Sequence, residues 1–222
     1  DRAALLETIE TQRFGCEMSG SDLYSDLLHH VADDVAAGGV IGELLEPVAT
    51  APFGDAVILR LLGALHLLVL DGRAPELARH YPSAGGSPRR GLAGDLRQTA
   101  DAHRGEIAVR LTEGVQTNEV GRSAALLGGY LEVARLGLPL RVLEVGASAG
   151  LNLLFDHYRY LGPGGAAFGP PESPLVFDQP WFAGAPELVV PLVVQERTGC
   201  DVAPIDVVTT EGRQRLRSFV WG

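Results

Sequence analysis

A five-residue loop between two apolar segments contains the residues best suited to chemistry in this sequence. Residues 141–152 read RVLEVGASAGLN, in which Gly146, Ser148 and Gly150 form a G-x-S-x-G pattern. This pattern is typical of the nucleophile elbow of serine hydrolases, where a strand ends and a helix begins. Counted from Glu144, the same residues read E-x-G-x-S-x-G, in which small residues let a cofactor approach the end of a strand. Ser148 is a nucleophile in the first interpretation and a loop residue in the second.

The hydrolase interpretation lacks partners for Ser148 in the required order. An α/β-hydrolase triad runs in the order serine, acid, histidine. After Ser148 the sequence has one histidine, His157, in the segment that directly follows the loop. No H-G-G-G segment for an oxyanion hole precedes the loop. The sequence therefore supports a serine hydrolase less well than it supports a cofactor site.

The cofactor interpretation accounts for Glu144, a carboxylate near the end of a buried strand. Such a group needs a partner, and it can bind the ammonium group of S-adenosylmethionine (SAM) or hold the loop through backbone N–H groups. Gly146 and Gly150 permit positive φ, while Ala147 and Ser148 keep the loop surface small. The structural alternative is a tight turn that needs small residues only for packing.

Polar residues on either side of the loop extend the predicted cofactor site. Asn152 lies in the first turn after the loop and is a poor helix former, which favours a binding role. The segment QTNEVGRS, residues 116–123, offers Asn118 and Arg122 as contacts for the SAM carboxylate or for an acidic substrate. The structural alternative is that Thr117 or Asn118 caps a helix and that Glu119 forms an ion pair with Arg122.

An acidic residue after the second strand is expected to hold the ribose hydroxyls of SAM. Glu196, Asp201 and Asp206 compete for this role, and Asp201 stands in the strand-end pattern G-C-D-x-x-P. The alternatives are an ion pair between Asp201 and Arg197, or a substrate-binding lobe that holds no ribose ligand. No residue stands out as a general base, and Glu119 and Asp201 are the two candidates.

The elements that must position these residues change in character along the chain. Residues 1–112 have the apolar periodicity of a helical domain, including an almost wholly apolar helix from about Asp55 to Leu70. Residues 113–222 contain a buried strand at Leu140–Val145 and then the loop. A helix from about Leu151 to Tyr160 follows, and its positive end would face the carboxylate of the ligand.

The second region contains few strands for an α/β domain. A Gly/Pro-rich insertion covers residues 161–191, with a short strand near Leu175–Phe177, and a further strand is predicted at Leu188–Gln195. A last helix is predicted at Glu211–Val220. The fold class is therefore α/β: an N-terminal helical region is followed by a partial Rossmann-like, methyltransferase-type sheet. This sheet has too few strands to be complete.

Composition limits the partners and the compartment. The formal net charge is −10, so the surface repels phosphates and no nucleic-acid partner is expected. All 18 basic residues are arginine, which excludes Schiff-base and P-loop lysine chemistry within this chain. Cys16 and Cys200 match no zinc spacing and are typical of reduced thiols in a cytoplasmic protein. The apolar run Ala56–Leu70 contains Arg60 and His66 and is too short to span a bilayer, so no membrane partner is expected.

No metal site is predicted from the sequence. His29 and His30 lie near Asp33 and Asp34, and His30 shares a helical face with Asp34. Two ligands do not make a site, so the expected role of this segment is a solvated helix face.

Three segments together resemble a known family: RVLEVGASAGLNLLFDHYRY, QTNEVGRSAALL and RTGCDVAPIDV. They are similar to a bacterial family of unknown function with a SAM-dependent methyltransferase-like domain, and the resemblance covers most of the chain. It implies a Rossmann-like domain behind a helical domain, in a protein that continues past Gly222 and so completes the sheet. It implies SAM binding and methyl transfer to an unidentified small molecule. The sequence departs from the general methyltransferase pattern at Ser148, where glycine is common, and a non-catalytic ligand-binding or interaction module on the same fold is the alternative.

Overall fold

The structure is a computed structural model that describes residues 2–52, 55–87, 90–181 and 183–221. Its α-helices are α1 (Arg2–Met18), α2 (Asp22–Ala37), α3 (Val40–Leu45), α4 (Val57–Leu70), α5 (Pro75–Ala78), α6 (Leu92–Ala102), α7 (Arg104–Leu111), α8 (Arg122–Ala134) and α9 (Thr210–Arg217). Its strands are β1 (Leu140–Val145), β2 (Arg159–Leu161), β3 (Ala167–Phe168), β4 (Val176–Asp178) and β5 (Val194–Cys200). Among the helices described, none is both long enough and apolar enough to cross a membrane.

The strands form two small sheets after the helical region. β1 and β5 pair in parallel, and β2 lies between β3 and β4 in a three-stranded sheet of mixed direction. The order of helices followed by strands confirms a mixed α/β chain. Two parallel strands are too few to constitute a Rossmann fold, so the structure supports the coarser class only.

The chain divides into two compact units. The first comprises residues 1–116 and 207–222, and the second comprises residues 117–206. The sequence places a boundary near residue 112 and assigns everything after it to the second domain. In the structure the last segment, which includes α9, belongs to the helical unit because its side chains pack there.

Helix α4 is the centre of the first unit. It is apolar on all sides, and residues around its whole circumference are buried, as its sequence predicts. Gly63 lets the ring of Phe219 pack closely against α4, because a Cβ atom at this position would lie 2.5 Å from that ring. The buried side chains of α4 belong to the hydrophobic core of the helical unit.

His66 is a buried polar residue within this core, with a side chain that is 3% exposed. Its Nε2 lies 2.8 Å from Ser83 Oγ, and its Nδ1 lies 3.2 Å from the carbonyl oxygen of Ser218 and 3.1 Å from Tyr24 Oη. These partners satisfy a neutral imidazole, in which Nδ1 donates to the carbonyl and Nε2 accepts from the serine. Burial lowers the pKa of His66 to about 4, because it disfavours the charged imidazolium.

The second unit packs around one face of the parallel strand pair. Leu140 and Val142 of β1 are buried against Leu127 of α8 and against Phe155 and Tyr160. The prediction of a strand at Leu140–Val145 is therefore confirmed. The side chains that alternate with these, Leu143 and Val145, are 75% and 90% exposed on the opposite face.

Two predicted elements of this unit differ in the structure. The second long strand is β5, which begins at Val194 rather than Leu188, because Pro191 interrupts the apolar run and cannot donate to a strand neighbour. The segment after the loop is a 3-10 helix, Leu151–His157, rather than an α-helix that reaches Tyr160. The dihedral angles of Leu154 are not helical, and the backbone is extended at Tyr158, just before β2.

The buried imidazole predicts how the stability of the helical unit depends on pH. In the unfolded chain a histidine titrates near 6.5, so between pH 6.5 and 4 the unfolded state binds a proton that His66 in the folded state does not. The free energy of unfolding should fall by about 3 kcal/mol as the pH falls through this window. Chemical denaturation at several pH values measures it. The variant His66→Gln should lose this component of the pH dependence, and an unchanged slope in the variant would contradict the assignment.

Candidate functional site

The loop Gly146–Gly150 joins the carboxyl end of β1 to the 3-10 segment. Gly146 and Gly150 each have φ of 73°, and Ser148 has φ of 49°. Glycine adopts left-handed backbone readily, whereas a serine there costs free energy that surrounding contacts must offset. The contacts that hold Ser148 therefore decide the shape of the loop.

Four of the five backbone N–H groups of this loop donate within the protein. The N–H groups of Gly146 and Ala147 both donate to the carbonyl oxygen of Cys200, at 2.8 and 3.1 Å. The N–H of Gly150 donates to Ala147 O at 2.6 Å. The N–H of Ser148 donates to the Asp201 side chain at 2.8 Å. These N–H groups donate to acceptors within the protein, whereas the N–H groups of a phosphate-binding loop point at the ligand.

Asp201 fixes the loop to the segment after β5. Its Oδ2 accepts the hydrogen bond from Ser148 N, and its Oδ1 accepts one from Ala203 N at 2.9 Å. The N–H of Ile205 also donates to Ser148 O at 3.3 Å. The sequence offers Asp201 as one of three candidate ribose ligands. The structure places it directly after β5, where its carboxylate bridges two backbone N–H groups.

Asn118 holds the other end of the loop. Its Oδ1 accepts a hydrogen bond of 2.9 Å from the N–H of Leu151. The alternative that Asn118 caps the following helix is wrong, since α8 begins at Arg122 with Gly121 as its N-cap and no side chain caps it. The N–H of Leu151, the first of the 3-10 segment, thus donates to Asn118. It does not point at a ligand carboxylate, as the predicted helix end would.

Arg122 lies at the start of α8 and is exposed. It forms the predicted ion pair with Glu119, with 3.2 Å between Arg122 Nε and Glu119 Oε2. Burial raises the pKa of Glu144, and the charge of Arg122 partly opposes this rise. Arg122 is therefore near enough to influence the end of β1 electrostatically, and Glu119 is engaged as the partner of Arg122.

Three polar atoms at the loop are buried and have no hydrogen-bond partner among the residues that the structure describes: Glu144 Oε2, Ser148 Oγ and Asn152 Oδ1. Ser148 and Asn152 are 8% and 5% exposed. Asn152 and Glu144 form a side-chain hydrogen bond, in which the amide nitrogen must donate because the carboxylate can only accept. Two of the three unpaired atoms are acceptors only, and the serine hydroxyl can accept as well.

The environment of Glu144 disfavours its charge. Burial raises the pKa of the Glu144 carboxyl, and the hydrogen bond from Asn152 and the charge of Arg122 oppose that shift. A cationic hydrogen-bond donor at Oε2 would stabilise the carboxylate and supply the missing partner.

The loop is packed on one side and open on the other. A Cβ atom at Gly199 of β5 would lie 2.7 Å from Ala147 Cβ, so this glycine allows the strand to approach the loop closely. Apart from its chain neighbours, a Cβ atom at Gly146 would have no heavy atom of the described residues within 4 Å, and one at Gly150 would contact only Leu153 among them, at 3.6 Å. The open side provides space for a ligand against the glycine backbone.

Ser148 lacks the surroundings of a catalytic nucleophile in the structure. Its Oγ is buried without a hydrogen-bond partner, so no histidine among the described residues lies in position to accept its proton. His157 is exposed in the 3-10 segment. A nucleophilic serine needs a base within hydrogen-bond reach, which favours the loop role over the hydrolase role.

The remaining acidic candidates serve other contacts or face solvent. Glu196 pairs with Arg141 across the two parallel strands, with 2.7 Å between Glu196 Oε2 and Arg141 Nε. Asp206 is exposed. Arg197, considered above as a partner of Asp201, instead binds Asp156 at 2.5 Å and the carbonyl of Leu153 at 2.9 Å.

Two contacts that shape the site were not predicted from the sequence. Gly199 matters because of its close approach to Ala147, and an isolated glycine within a strand is a signal that could have identified it. Arg197 matters because it fixes the carbonyl of Leu153, and no local pattern indicates this contact.

A groove of about 760 Å³ in the second unit lies away from the loop. Its lining comes from residues 134–139 and 187–193, at the amino end of β1, and includes the ion pair of Arg135 with Glu187. Ligands of open α/β sheets bind at the carboxyl ends of the strands, so the groove does not replace the loop as the candidate site.

Comparison with known families identifies the relatives of the chain. A bacterial family described as "Uncharacterized protein conserved in bacteria (DUF2332)" matches residues 7–222. The chain belongs to this family. No curated protein and no solved structure gave a match. Membership of DUF2332 covers both compact units, and its description assigns no activity to the loop.

The hydrogen bonds of Asp201 predict a local loss of protection when the carboxylate is removed. Asp201→Ala leaves the N–H groups of Ser148 and Ala203 without their acceptor, a loss of about 1–3 kcal/mol for each group. Hydrogen exchange at Ser148 should become faster by about tenfold or more. Asp201→Asn, which keeps one acceptor oxygen, should be intermediate, and exposed Glu172→Gln serves as the control. Unchanged exchange in Asp201→Ala would show that the loop does not depend on this carboxylate.

Proposed function

We propose that the second unit binds SAM at the Gly146–Gly150 loop, as part of a methyltransferase that acts on a small molecule. The observation that supports this most is the set of unpaired acceptors, Glu144 Oε2, Ser148 Oγ and Asn152 Oδ1. A ligand that satisfies them must bring hydrogen-bond donors, and one that pairs with a carboxylate is best positively charged. SAM has an ammonium group and a cationic sulfonium, and it meets both conditions.

The same polarity argues against ligands anchored through phosphates. The backbone donors of Gly146, Ala147 and Ser148 are occupied by Cys200 and Asp201. A dinucleotide needs such donors for its pyrophosphate, and it also needs glycines at positions where this chain has Ser148 and Leu151. The loop therefore suits a cationic ligand better than a dinucleotide.

Each candidate residue has a role in this proposal. Glu144 and Asn152 bind the ammonium group, and Gly146 allows the ligand to approach the backbone. Asp201 positions the loop; since a carboxylate has room for about four hydrogen bonds, it can also accept from a ribose hydroxyl. Arg122 lies close enough to act on Glu144 and contributes to recognition of a carboxylate.

SAM supplies an electrophilic methyl group when it is bound. The residues of the chain bind SAM, orient it and limit the access of water. Holding the methyl group and its acceptor in the right geometry accelerates the transfer. Glu119 is paired with Arg122 and exposed, so it is a poor choice for a general base. A non-catalytic ligand-binding module would use the same contacts without the transfer step.

Calorimetric titration of the chain with SAM and S-adenosylhomocysteine tests this proposal. Both ligands should bind, since both carry the ammonium group. Glu144→Gln should weaken both by about tenfold to a hundredfold, because a hydrogen bond to a charged group is worth roughly 1.5–3 kcal/mol. Glu172→Gln, an exposed substitution of the same chemistry, should change neither. No binding of either ligand to the folded chain would sink the proposal, and binding without any methylated product would favour the non-catalytic module.

The raised pKa of Glu144 predicts a pH dependence of the same affinity. The ammonium group pairs with ionised Glu144, so affinity should fall as the pH drops through a pKa that lies above the ordinary value for glutamate. Titrations in steps between pH 7.5 and pH 4.5 measure the effect. In Glu144→Gln the affinity should be lower and flat over this range, and an equal pH dependence in the variant would assign the effect to another group.

A further inference from the structure

The solvent face of α2 carries an arrangement of side chains that the second unit does not use. Asp26, His29, His30 and Asp33 follow the pattern D-x-x-H-H-x-x-D, in which residues three and four apart share a face of the helix. Asp26, His29 and Asp33 are exposed, and His30 is half-buried. The residues therefore form one accessible cluster in the helical unit.

Three of these side chains bring nitrogen and oxygen ligand atoms together. His29 Nε2 lies 3.7 Å from Asp33 Oδ2, and His30 Nδ1 lies 4.0 Å from the same oxygen. A ligand atom from each of the three residues lies within 4.8 Å of the others. Zinc holds nitrogen and oxygen ligands at about 2.0–2.2 Å, so ligand atoms around one ion are roughly 3.4 Å apart. Rotations of three accessible side chains close the difference.

Asp34 is not part of this cluster, although His30 and Asp34 share a helical face. Asp34 is buried and accepts hydrogen bonds from the N–H groups of Ile41 at 2.8 Å and Gly42 at 3.2 Å, at the start of α3. The acidic partner of the two histidines is instead Asp33. The expectation of a simple solvated face therefore misses a third ligand.

The partners of Asp33 differ from those of other acidic residues on the surface helices. Four exposed acids elsewhere in the described chain pair with an arginine three positions away: Glu10 with Arg13, Asp101 with Arg104, Glu119 with Arg122 and Glu132 with Arg135. Asp33 instead faces two imidazoles. Asp26 adds a negative charge near His30, while Arg97 adds a positive one.

We propose that His29, His30 and Asp33 bind a zinc ion on the surface of α2. Two imidazoles and one carboxylate are a donor set that suits zinc, whereas magnesium and calcium prefer oxygen ligands alone. Three protein ligands leave at least one coordination position for water. The site lies in the first unit and does not depend on the function proposed for the second.

Isothermal titration of the metal-free chain with zinc chloride at pH 7.5 tests the site. One zinc ion should bind per chain, and the ion should raise the melting temperature. His29→Ala and Asp33→Ala should each weaken zinc binding by about tenfold or more, since even outer residues of metal sites contribute that much. His157→Ala, which removes an exposed histidine from the second unit, is the matched control and should bind zinc like the wild type.

Three results would overturn the site. The first is a wild-type chain that binds no zinc, and the second is equal zinc affinity in wild type, His29→Ala and Asp33→Ala. The third is a loss of binding in His157→Ala that matches the loss in the α2 variants, since the ion would then lie elsewhere. Circular dichroism confirms folding of each variant, and the exposed positions of His29 and Asp33 make all of them compatible with the helix.

Discussion

Parallel pairing of β1 with β5 determines how the second unit is organised. Ser148 and Asp201 are 53 positions apart in the sequence. The pairing puts the loop that follows β1 beside Asp201, which follows β5. The carbonyl of Cys200 then accepts from two loop N–H groups, and Gly199 leaves room for Ala147. The left-handed backbone at Ser148 is supported only because both strands end at the same edge.

That arrangement settles the polarity of the candidate site. Donors are consumed in building the loop, whereas acceptors on Glu144 and Asn152 remain unpaired. A buried polar atom without a partner lowers the stability of the folded protein. A ligand that supplies the partner would raise that stability. In the function proposed above, ligand binding and the stability of this unit are therefore coupled, and the unpaired acceptors are the reason that a cation is proposed rather than a phosphate.

Patterns local in sequence were the part of the molecule that could be predicted. The apolar circumference of α4 and the strand Leu140–Val145 follow directly from residue types, because burial on all sides requires apolar side chains. The position of β5 could not be predicted in this way. Its residues are mainly polar and its neighbouring apolar run is interrupted by Pro191, so periodicity indicates the wrong segment.

The site shows the same division between local and long-range information. Glu144, Ser148 and Asn152 were predicted from the motif and from residue type, and each carries a buried atom that has no partner among the described residues. The partner of Asn118 could not be read from its neighbours, since Leu151 is 33 positions away. Asp33 rather than Asp34 faces the histidines because α3 needs a buried acceptor at its start, which is a tertiary requirement.

The open face of β1 has a consequence for the behaviour of the protein in solution. Leu143 and Val145 lie almost fully in water, and among the described residues neither β1 nor β5 pairs with a third strand. Apolar side chains beside unpaired strand edges promote self-association. The net charge of −10 keeps molecules apart by repulsion, and salt screens that repulsion over about 10 Å at 0.1 M. Association of this chain through the open face of β1 should therefore increase with ionic strength.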